Sequence, residues 1–210
     1  MSGDFKFYRA GNMLWQLTKI NLVWLLFSLP VVTAGAASAA QFGAVGMLLD
    51  EPGGRRIAVF SVMKEGFRRH FRQATIVWLV SAALFVAFYF DYNLLTANVG
   101  DTALRNVLLI LSVAAFAVIL FTFLWVYAVM TCFSGKLRDV VYSAFIFSMI
   151  YTPVSLIAIC IYAGAAFLFL NFMTAKILLA LFGYSLAVYI NLYFFKQAFR
   201  RYARKTEENV

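Results

Sequence analysis

Residues 22–50 read LVWLLFSLPVVTAGAASAAQFGAVGMLLD, and this stretch decides the fold. Its apolar start leads to Pro30, which lacks an amide donor and clashes with the preceding turn, so we expect a helix to break there. Small residues dominate the segment after the proline. Surfaces of small side chains let two helices approach closely in a membrane, where lipid gives helices no hydrophobic reason to associate. The stretch therefore predicts a proline-broken hairpin of two helices over 12–49.

We interpret the small-residue surface of this hairpin as a seam for packing against other helices or against a partner. Gln41 lies in its middle, and its amide is predicted to bond across to a neighbouring helix, contributing about 0.6 to 2 kcal/mol. Buried polar residues in membranes are functional candidates, but we favour a structural role for Gln41 over contact with a substrate. The residues assigned to the seam are Pro30, Thr33, Gly35, Ala36, Gln41, Gly43 and Gly46.

The composition identifies a membrane protein. Hydrophobic residues make up 64% of the chain and charged residues 13%, whereas soluble domains have about 45 to 50% and roughly 25%. The 210 residues leave no room for a separate globular domain beside a set of spanning helices, so we predict a single integral membrane domain over 1–210. The net charge of +9 comes from basic residues beside apolar segments. This arrangement favours an anionic bilayer leaflet as the partner and argues against nucleic acid.

Apolar segments long enough to span a bilayer, about 20 residues, occur in the region 74–195. With the hairpin they predict an all-α, polytopic transmembrane bundle of about six helices; a single crossing by the first 50 residues would make it five. The four segments lie at 74–90, 103–131, 153–172 and 177–195.

The distribution of lysine and arginine predicts the orientation, because short cytoplasmic loops carry an excess of both. Basic residues are concentrated between 50 and 73 and in the tail 196–210. Both regions are therefore predicted to be cytoplasmic. The six-helix count also places Lys6 and Arg9 inside, whereas five helices would leave them outside. We thus expect both termini on the cytoplasmic side.

The segment 57–72 has the pattern of a basic amphipathic helix. Aromatic residues and Met63 recur at helical spacing on one face, and cations recur every four residues on another. We predict that this helix lies in the cytoplasmic headgroup layer, where each cation contributes about 1 kcal/mol. It either only fixes the topology or also docks a partner, and the pattern leaves both open. The residues assigned to this surface are Phe60, Lys64, Phe67, Arg68, Arg69, Phe71 and Arg72.

A similar order recurs at 136–153, where a basic start and an apolar stretch lead to Tyr-Thr-Pro and then to a spanning segment. This favours a repeated unit, in which a membrane-surface helix is followed by a spanning helix. The resemblance to the first 50 residues is loose, so it bears on architecture alone.

The sequence lacks the residues of the common catalytic sites. It has no Walker-type phosphate loop, no metal-ligand spacing and no nucleophile with a base and an orienting acid. Cys132 and Cys160 lie in apolar stretches and are interpreted as small buried hydrophobes. No acid lies in the middle of a predicted span, as a proton-coupled carrier would usually need. We therefore predict a non-enzymatic protein without cofactor or metal.

Two motifs resemble a known family. NLVWLLFSLPVVTAGAASAA at 21–40 and FSVMKEGFRRHFRQATIVWLV at 60–80 closely resemble the YesL-like family of small bacterial inner-membrane proteins, classed as a domain of unknown function. The likeness is specific over the first 80 residues and extends further in hydropathy and length. The family often has Asn where this chain has His70, and a tyrosine pair where it has Phe42 and Gly43.

The resemblance implies a role in carbohydrate uptake, since genes of this family commonly lie beside those for oligosaccharide ABC importers and glycoside hydrolases. Our leading hypothesis is a non-enzymatic accessory subunit of such an importer in the bacterial cell membrane. The seam and the helix at 57–72 would contact the permease subunits. The alternative is an independent small-molecule permease or channel that acts as a homo-oligomer, because six short helices leave little room for a cavity in one copy.

Overall fold

A computed structural model describes residues 2–50, 57–98, 102–133 and 135–207. Lys6 and Arg9, on which part of the predicted topology depends, lie outside the described side chains, as do the basic residues of the tail after Arg200.

The described elements are all helices, and no strand occurs within these residues. A 3₁₀ turn at Val31–Thr33 separates the first two α-helices, and a π-helical segment at Leu179–Gly183 separates the last two. The α-helices are α1 Ser2–Ser28, α2 Ala34–Asp50, α3 Val59–Asn98, α4 Thr102–Cys132, α5 Leu137–Ile150, α6 Thr152–Asn171, α7 Met173–Leu178 and α8 Tyr184–Glu207.

Five stretches of the described helices are long and apolar enough to cross a membrane. The predicted class, a polytopic helical membrane bundle, is therefore confirmed. The helix α1, which we counted as a sixth crossing, is not among the five, since Gln16, Lys19 and Asn21 interrupt its apolar run. Length and composition thus support the five-helix count. The five stretches are Val31–Asp50, Val59–Ala97, Ala103–Cys132, Thr152–Asn171 and Lys176–Arg200.

The break predicted at Pro30 is present. The helix α1 ends at Ser28, Pro30 is extended, and α2 starts after the 3₁₀ turn. The Thr33 hydroxyl donates to the carbonyl oxygens of Phe27 and Pro30, each at 2.7 Å. Side-chain bonding of this kind satisfies backbone groups that the end of a helix leaves unpaired. The turn is therefore specified locally by the proline and the threonine.

The prediction of a separate surface helix at 57–72 is wrong in one respect. Residues Val59–Asn98 form one continuous helix of 40 residues, so the amphipathic segment and the following span are a single element. Such a helix is about 60 Å long, twice the hydrocarbon thickness of a bilayer. No proline or glycine interrupts it after Gly66. A separate surface helix would end before the span begins, and no helix boundary lies between Val59 and Asn98.

The second predicted helix boundary is confirmed. The helix α5 ends at Ile150, and Tyr151 leaves helical geometry at φ −110° and ψ 42°. Pro153 then lies in the first turn of α6, where its missing amide hydrogen costs nothing. Two helices thus meet at a proline in both halves of the chain.

The core surrounds α2. Of its 17 residues 11 are buried, and α1, α3, α4 and α8 all pack on it. Trp125 of α4 is fully buried nearby, stacked at 4.1 Å on Phe195, and its indole N–H donates to the Ser155 hydroxyl at 2.8 Å. By contrast, the distal halves of α3 and α4 are exposed and apolar. The core therefore lies at the end of the molecule that carries the basic residues.

Candidate functional site

The closest helix contact within the predicted seam is at Gly35. A methyl group placed there would lie 2.6 Å from Cβ of Trp78 and closer still to the carbonyl oxygen of Ala74. Gly66 of α3 contributes the second close approach, because a methyl group there would lie 3.3 Å from Cα of Ala40. Small residues at these points let α2 and α3 touch backbone to backbone. Glycine and alanine are thus required by packing inside the chain.

The other two glycines of the seam contact no helix closely. A methyl group at Gly43 would meet only the Thr131 side chain, at 3.9 Å, and one at Gly46 would meet Leu192 at 3.6 Å and Lys196 at 3.7 Å. These are ordinary van der Waals separations or looser. Gly43 and Gly46 therefore leave space on one side of α2, where the structure has a cavity.

Buried amides of α2 and of α1 both bond to the start of α8. The Gln41 side chain donates to the Ser185 hydroxyl at 2.7 Å, which is the interhelical bond that we predicted. The Asn21 amide donates to the Ala180 carbonyl at 2.6 Å and accepts from the Ser185 backbone N–H at 3.2 Å. Asn21 therefore bonds to Ala180 within the π-helical segment and to Ser185 just after it. Inserted side chains of this kind are a known cause of irregular helical turns.

Other buried amides have no hydrogen-bond partner among the described residues. Both polar atoms of Gln16 and of Asn191 are buried and unpaired, as is the carbonyl oxygen of the Gln41 side chain. Unpaired polar groups in an apolar core are costly, and in proteins ordered water commonly satisfies them. This interior is thus more polar than a purely structural membrane core requires.

A cavity of about 530 Å³ opens beside α2 at the basic end of the molecule. One wall is formed by α2, and the others by the first half of α3, the end of α4 and the second half of α8. Its lining includes Gly43, Gly46 and Arg69, three of the residues that the sequence singled out. We call this space the charged cavity.

One ion pair organises the wall formed by α8. The Lys196 ammonium group donates to the Asp50 carboxylate at 2.6 Å and to the Gly46 carbonyl oxygen at 2.9 Å. A cation near the carboxyl end of a helix is stabilised by unpaired carbonyls and by the helix dipole. Lys196 therefore ties α8 to the end of α2 and neutralises Asp50.

The remaining charged side chains of the cavity are not paired with one another. Arg69, Arg200 and Glu65 line it, and within the described part of the chain none of them lies within ion-pair distance of an opposite charge. All three are exposed, and His70 beside them is partly exposed. The opening of the cavity is thus lined by available charges.

The first half of α3 is amphipathic, as predicted, and its apolar face packs against other helices of the chain. Met63 is buried, and Phe67 packs on Phe27 of α1 with ring centroids 5.0 Å apart. Phe60 also contacts Phe27, but it is 54% exposed, and Phe71 is 42% exposed. The predicted aromatic face is therefore only partly buried.

On an adjoining face of the same helix, Lys64, Arg68 and Arg72 are all exposed. No carboxylate pairs with them among the residues that the structure describes. We call these three residues the basic stripe. It lies on a helix that Gly66 and Met63 hold against the core, so its position is fixed.

A second cavity, of about 510 Å³, lies between α3, α4, α6 and α8. It is lined mainly by apolar and aromatic side chains, with hydroxyl groups at one end. Ser38 and Tyr184 approach to 3.5 Å there. An apolar cleft among spanning helices is a site that lipid chains can fill.

The structure offers no metal centre in the described residues, where no group of three or more His, Cys, Asp or Glu side chains is close enough to hold an ion. Cys132 and Cys160 are free. Both are exposed, so the prediction that they are buried is wrong. Cys132 lies at the edge of the charged cavity.

Sequence reasoning missed the charged cavity. Asp50 follows the predicted hairpin, Lys196 and Arg200 belong to the predicted basic tail, and residues 146 positions apart give no local signal of contact. The acids at the end of that apolar run, Asp50 and Glu51, were the one available hint in the sequence, since an acid there needs a partner nearby.

Comparison with known proteins adds one finding. Residues 17–92 match the model of a protein family described as "Protein of unknown function, DUF624". The match includes α2, the seam and the basic stripe, but it stops before α4 and α8, which complete the charged cavity. No curated protein and no solved structure matches the chain.

Proposed function

We propose that this protein is a non-enzymatic accessory subunit that docks on another membrane protein through the basic stripe. The observation that carries the proposal is the stripe itself: Lys64, Arg68 and Arg72 are exposed cations without carboxylate partners in the described chain. Exposed charges on a fixed helix steer association and select an acidic partner surface. The partner is therefore expected to present carboxylates at the membrane boundary.

The seam has a different role from the partner contact that the sequence suggested. Its helix α2 is enclosed by helices of the same chain, with Ala36 and Gln41 fully buried. A partner cannot reach these residues without displacing α1 or α3. We therefore assign the partner contact to α3 alone and assign the seam to internal packing.

The positions of the basic residues support a cytoplasmic docking face. The stripe, Lys136, Arg138 and Lys196 all lie at one end of the helices, whereas the distal turns of α3 contain the acid Asp91. Short cytoplasmic loops are rich in lysine and arginine. We therefore propose that the charged cavity, the stripe and the carboxyl-terminal tail face the cytoplasm of a bacterial cell; the five-helix count no longer places both termini on that side.

We infer the nature of the partner from the resemblance to the YesL-like family. The matched family model is itself described only as a protein of unknown function. Genes of the YesL-like family lie beside those of oligosaccharide ABC importers. We propose the permease subunits of such an importer as the partner. Five candidate spans without an energy-coupling motif in the sequence suit a subunit that assists transport by another protein.

Co-purification with the detergent-solubilised importer tests the proposal. Two double variants are compared: Arg68→Glu with Arg72→Glu in the stripe, and Lys136→Glu with Arg138→Glu as the matched control. Each reverses two exposed cations, so each changes the net charge and the positive-inside signal equally. We expect the stripe variant to lose the importer and the control to retain it. Labelling of the carboxyl-terminal tail from each side of the membrane checks that both keep the same topology.

Equal retention of the importer by both variants, or no association of the unaltered protein, would refute docking through the stripe. Unchanged oligosaccharide uptake after deletion of the gene would argue against an accessory role. The transport alternative has a separate readout, since proteoliposomes that contain this protein alone should show no sugar flux. A substrate-dependent flux there would favour a homo-oligomeric permease.

A further inference from the structure

The charged cavity has the size and shape of a ligand site. Its volume of about 530 Å³ is within the range of roughly 300 to 1,000 Å³ that small-molecule sites occupy. The cavity exists because α2 has glycine where a larger residue would fill the space. A methyl group added at Gly43 would have its nearest neighbour, the Thr131 side chain, at 3.9 Å. A helix that only had to pack would gain from a larger side chain there.

The cavity is divided by polarity along its depth. Its buried lining is apolar and consists of Ala40, Phe42 and Leu192 among others, and its exposed rim carries the charged side chains. Phe133 and Phe199 also line the cavity, packed edge to face with ring centroids 5.5 Å apart. The matching ligand therefore has an apolar body and a charged end.

The sign of that charge follows from the rim. Three cations, Arg69, Lys196 and Arg200, face two carboxylates, Asp50 and Glu65, and Lys196 is already bonded to Asp50 at 2.6 Å. Two arginines then remain against one glutamate, with His70 beside them. A site with surplus arginine attracts anions, and the planar guanidinium group matches phosphate geometry with two parallel hydrogen bonds.

We propose that the charged cavity binds an amphiphile that bears a phosphate group. Arg69 and Arg200 hold the phosphate at the rim, and the apolar part lies along α2 in the space left by Gly43. A membrane phospholipid and a soluble organic phosphate share this chemistry. The proposal is independent of docking through the basic stripe, since different residues carry it and no partner protein is needed to test it.

The test uses the purified full chain in detergent and three variants. Arg69→Gln with Arg200→Gln removes the rim cations, and Gly43→Leu fills the cavity. Lys136→Gln with Arg138→Gln is the matched control, because it removes two exposed cations that lie outside the cavity lining. The probes are phosphatidylglycerol, diacylglycerol as the same apolar body without phosphate, and phenyl phosphate as a soluble aryl phosphate. Native mass spectrometry measures lipid binding, and ligand-induced shifts of the unfolding midpoint measure phenyl phosphate.

We expect phosphatidylglycerol to bind and diacylglycerol to bind at least about tenfold more weakly, since charge-assisted hydrogen bonds contribute that much or more. Both cavity variants should weaken binding by a similar factor, and the control pair should not. Competition by phenyl phosphate, sensitive to the same variants, would identify a soluble phosphate as the ligand; its absence would identify the lipid.

Two results would overturn the proposal: equal binding of the two lipids, or cavity variants that bind as the unaltered protein does. A control pair that loses as much binding as the rim pair would also overturn it, since binding would then follow net charge. The unfolding midpoint of each variant without ligand shows that it is folded. If Gly43→Leu fails that check, the arginine pair decides the outcome.

Discussion

Replacing Gly35 by alanine should destabilise the protein, whereas the same replacement at Gly43, eight residues further along α2, should not. Both substitutions add one methyl group to the same helix, and both remove the same backbone freedom from the unfolded chain. Alanine in place of glycine favours a helix by about 0.8 to 1 kcal/mol. This contribution is the same in both variants, so the difference between their free energies of unfolding reports the cost of packing the added methyl group.

The packing term follows from the neighbours of each methyl group. At Gly35 the methyl would lie 2.6 Å from Cβ of Trp78, whereas carbon atoms prefer about 3.5 to 4.0 Å. Its other neighbour is the Ala74 carbonyl, a backbone atom that cannot rotate away. The helices α2 and α3 must therefore separate by about 1 Å, and overpacking of this kind costs about 1 to 3 kcal/mol. At Gly43 the nearest atom is 3.9 Å away, so no comparable cost arises.

Gly43→Ala should therefore be as stable as the unaltered protein or more stable, and Gly35→Ala should be less stable than Gly43→Ala by about 1 to 3 kcal/mol. Unfolding by sodium dodecyl sulfate in mixed micelles, followed by circular dichroism, measures both free energies. Gly66→Ala should have a free energy of unfolding between those of the other two variants, because its methyl group would lie 3.3 Å from Cα of Ala40. Equal unfolding free energies for the Gly35 and Gly43 variants, or a more stable Gly35 variant, would refute the assignment of the seam to internal packing.

The remaining predictions concern polar contacts of the core and use the same unfolding assay. Asn21→Ala should lower the free energy of unfolding by about 1 to 3 kcal/mol, because it leaves the Ala180 carbonyl and the buried N–H of Ser185 without their partner. Trp125→Phe should cost a similar amount, since it removes both indole volume and the bond to Ser155. Asp50→Asn should cost less than about 1 kcal/mol, because Asp50 is 60% exposed and an amide oxygen can still accept from Lys196.

Each of these has a control in the chain. Asn93→Ala removes an amide that bonds only within its own exposed turn, so a loss equal to that of Asn21→Ala would show that the interhelical contact is not responsible. Stability of Trp125→Phe equal to that of the unaltered protein would mean that the bond to Ser155 contributes nothing. A large loss on Asp50→Asn, unaffected by salt, would contradict the view that this pair is a weak, screened contact.

The site was only partly predictable. Local chemistry identified Gly35 as a point of close approach and Gln41 as an interhelical donor, because small size and an isolated amide are properties of single residues. It also suggested an amphipathic helix at 57–72. It did not show that this helix continues into the span, since surface and spanning segments have the same helical period and differ only in what surrounds them.

The sequence by itself determined that the chain is a helical membrane protein, that Pro30 and Pro153 mark helix boundaries, and where the apolar segments lie. Hydrophobicity, helical period and the missing proline N–H act within a few residues, so these features need no knowledge of the fold. The tertiary structure alone decided that α2 is enclosed by its own chain and that Lys196 meets Asp50 across 146 positions. Contacts between distant segments depend on how whole helices pack, and no local pattern records that choice.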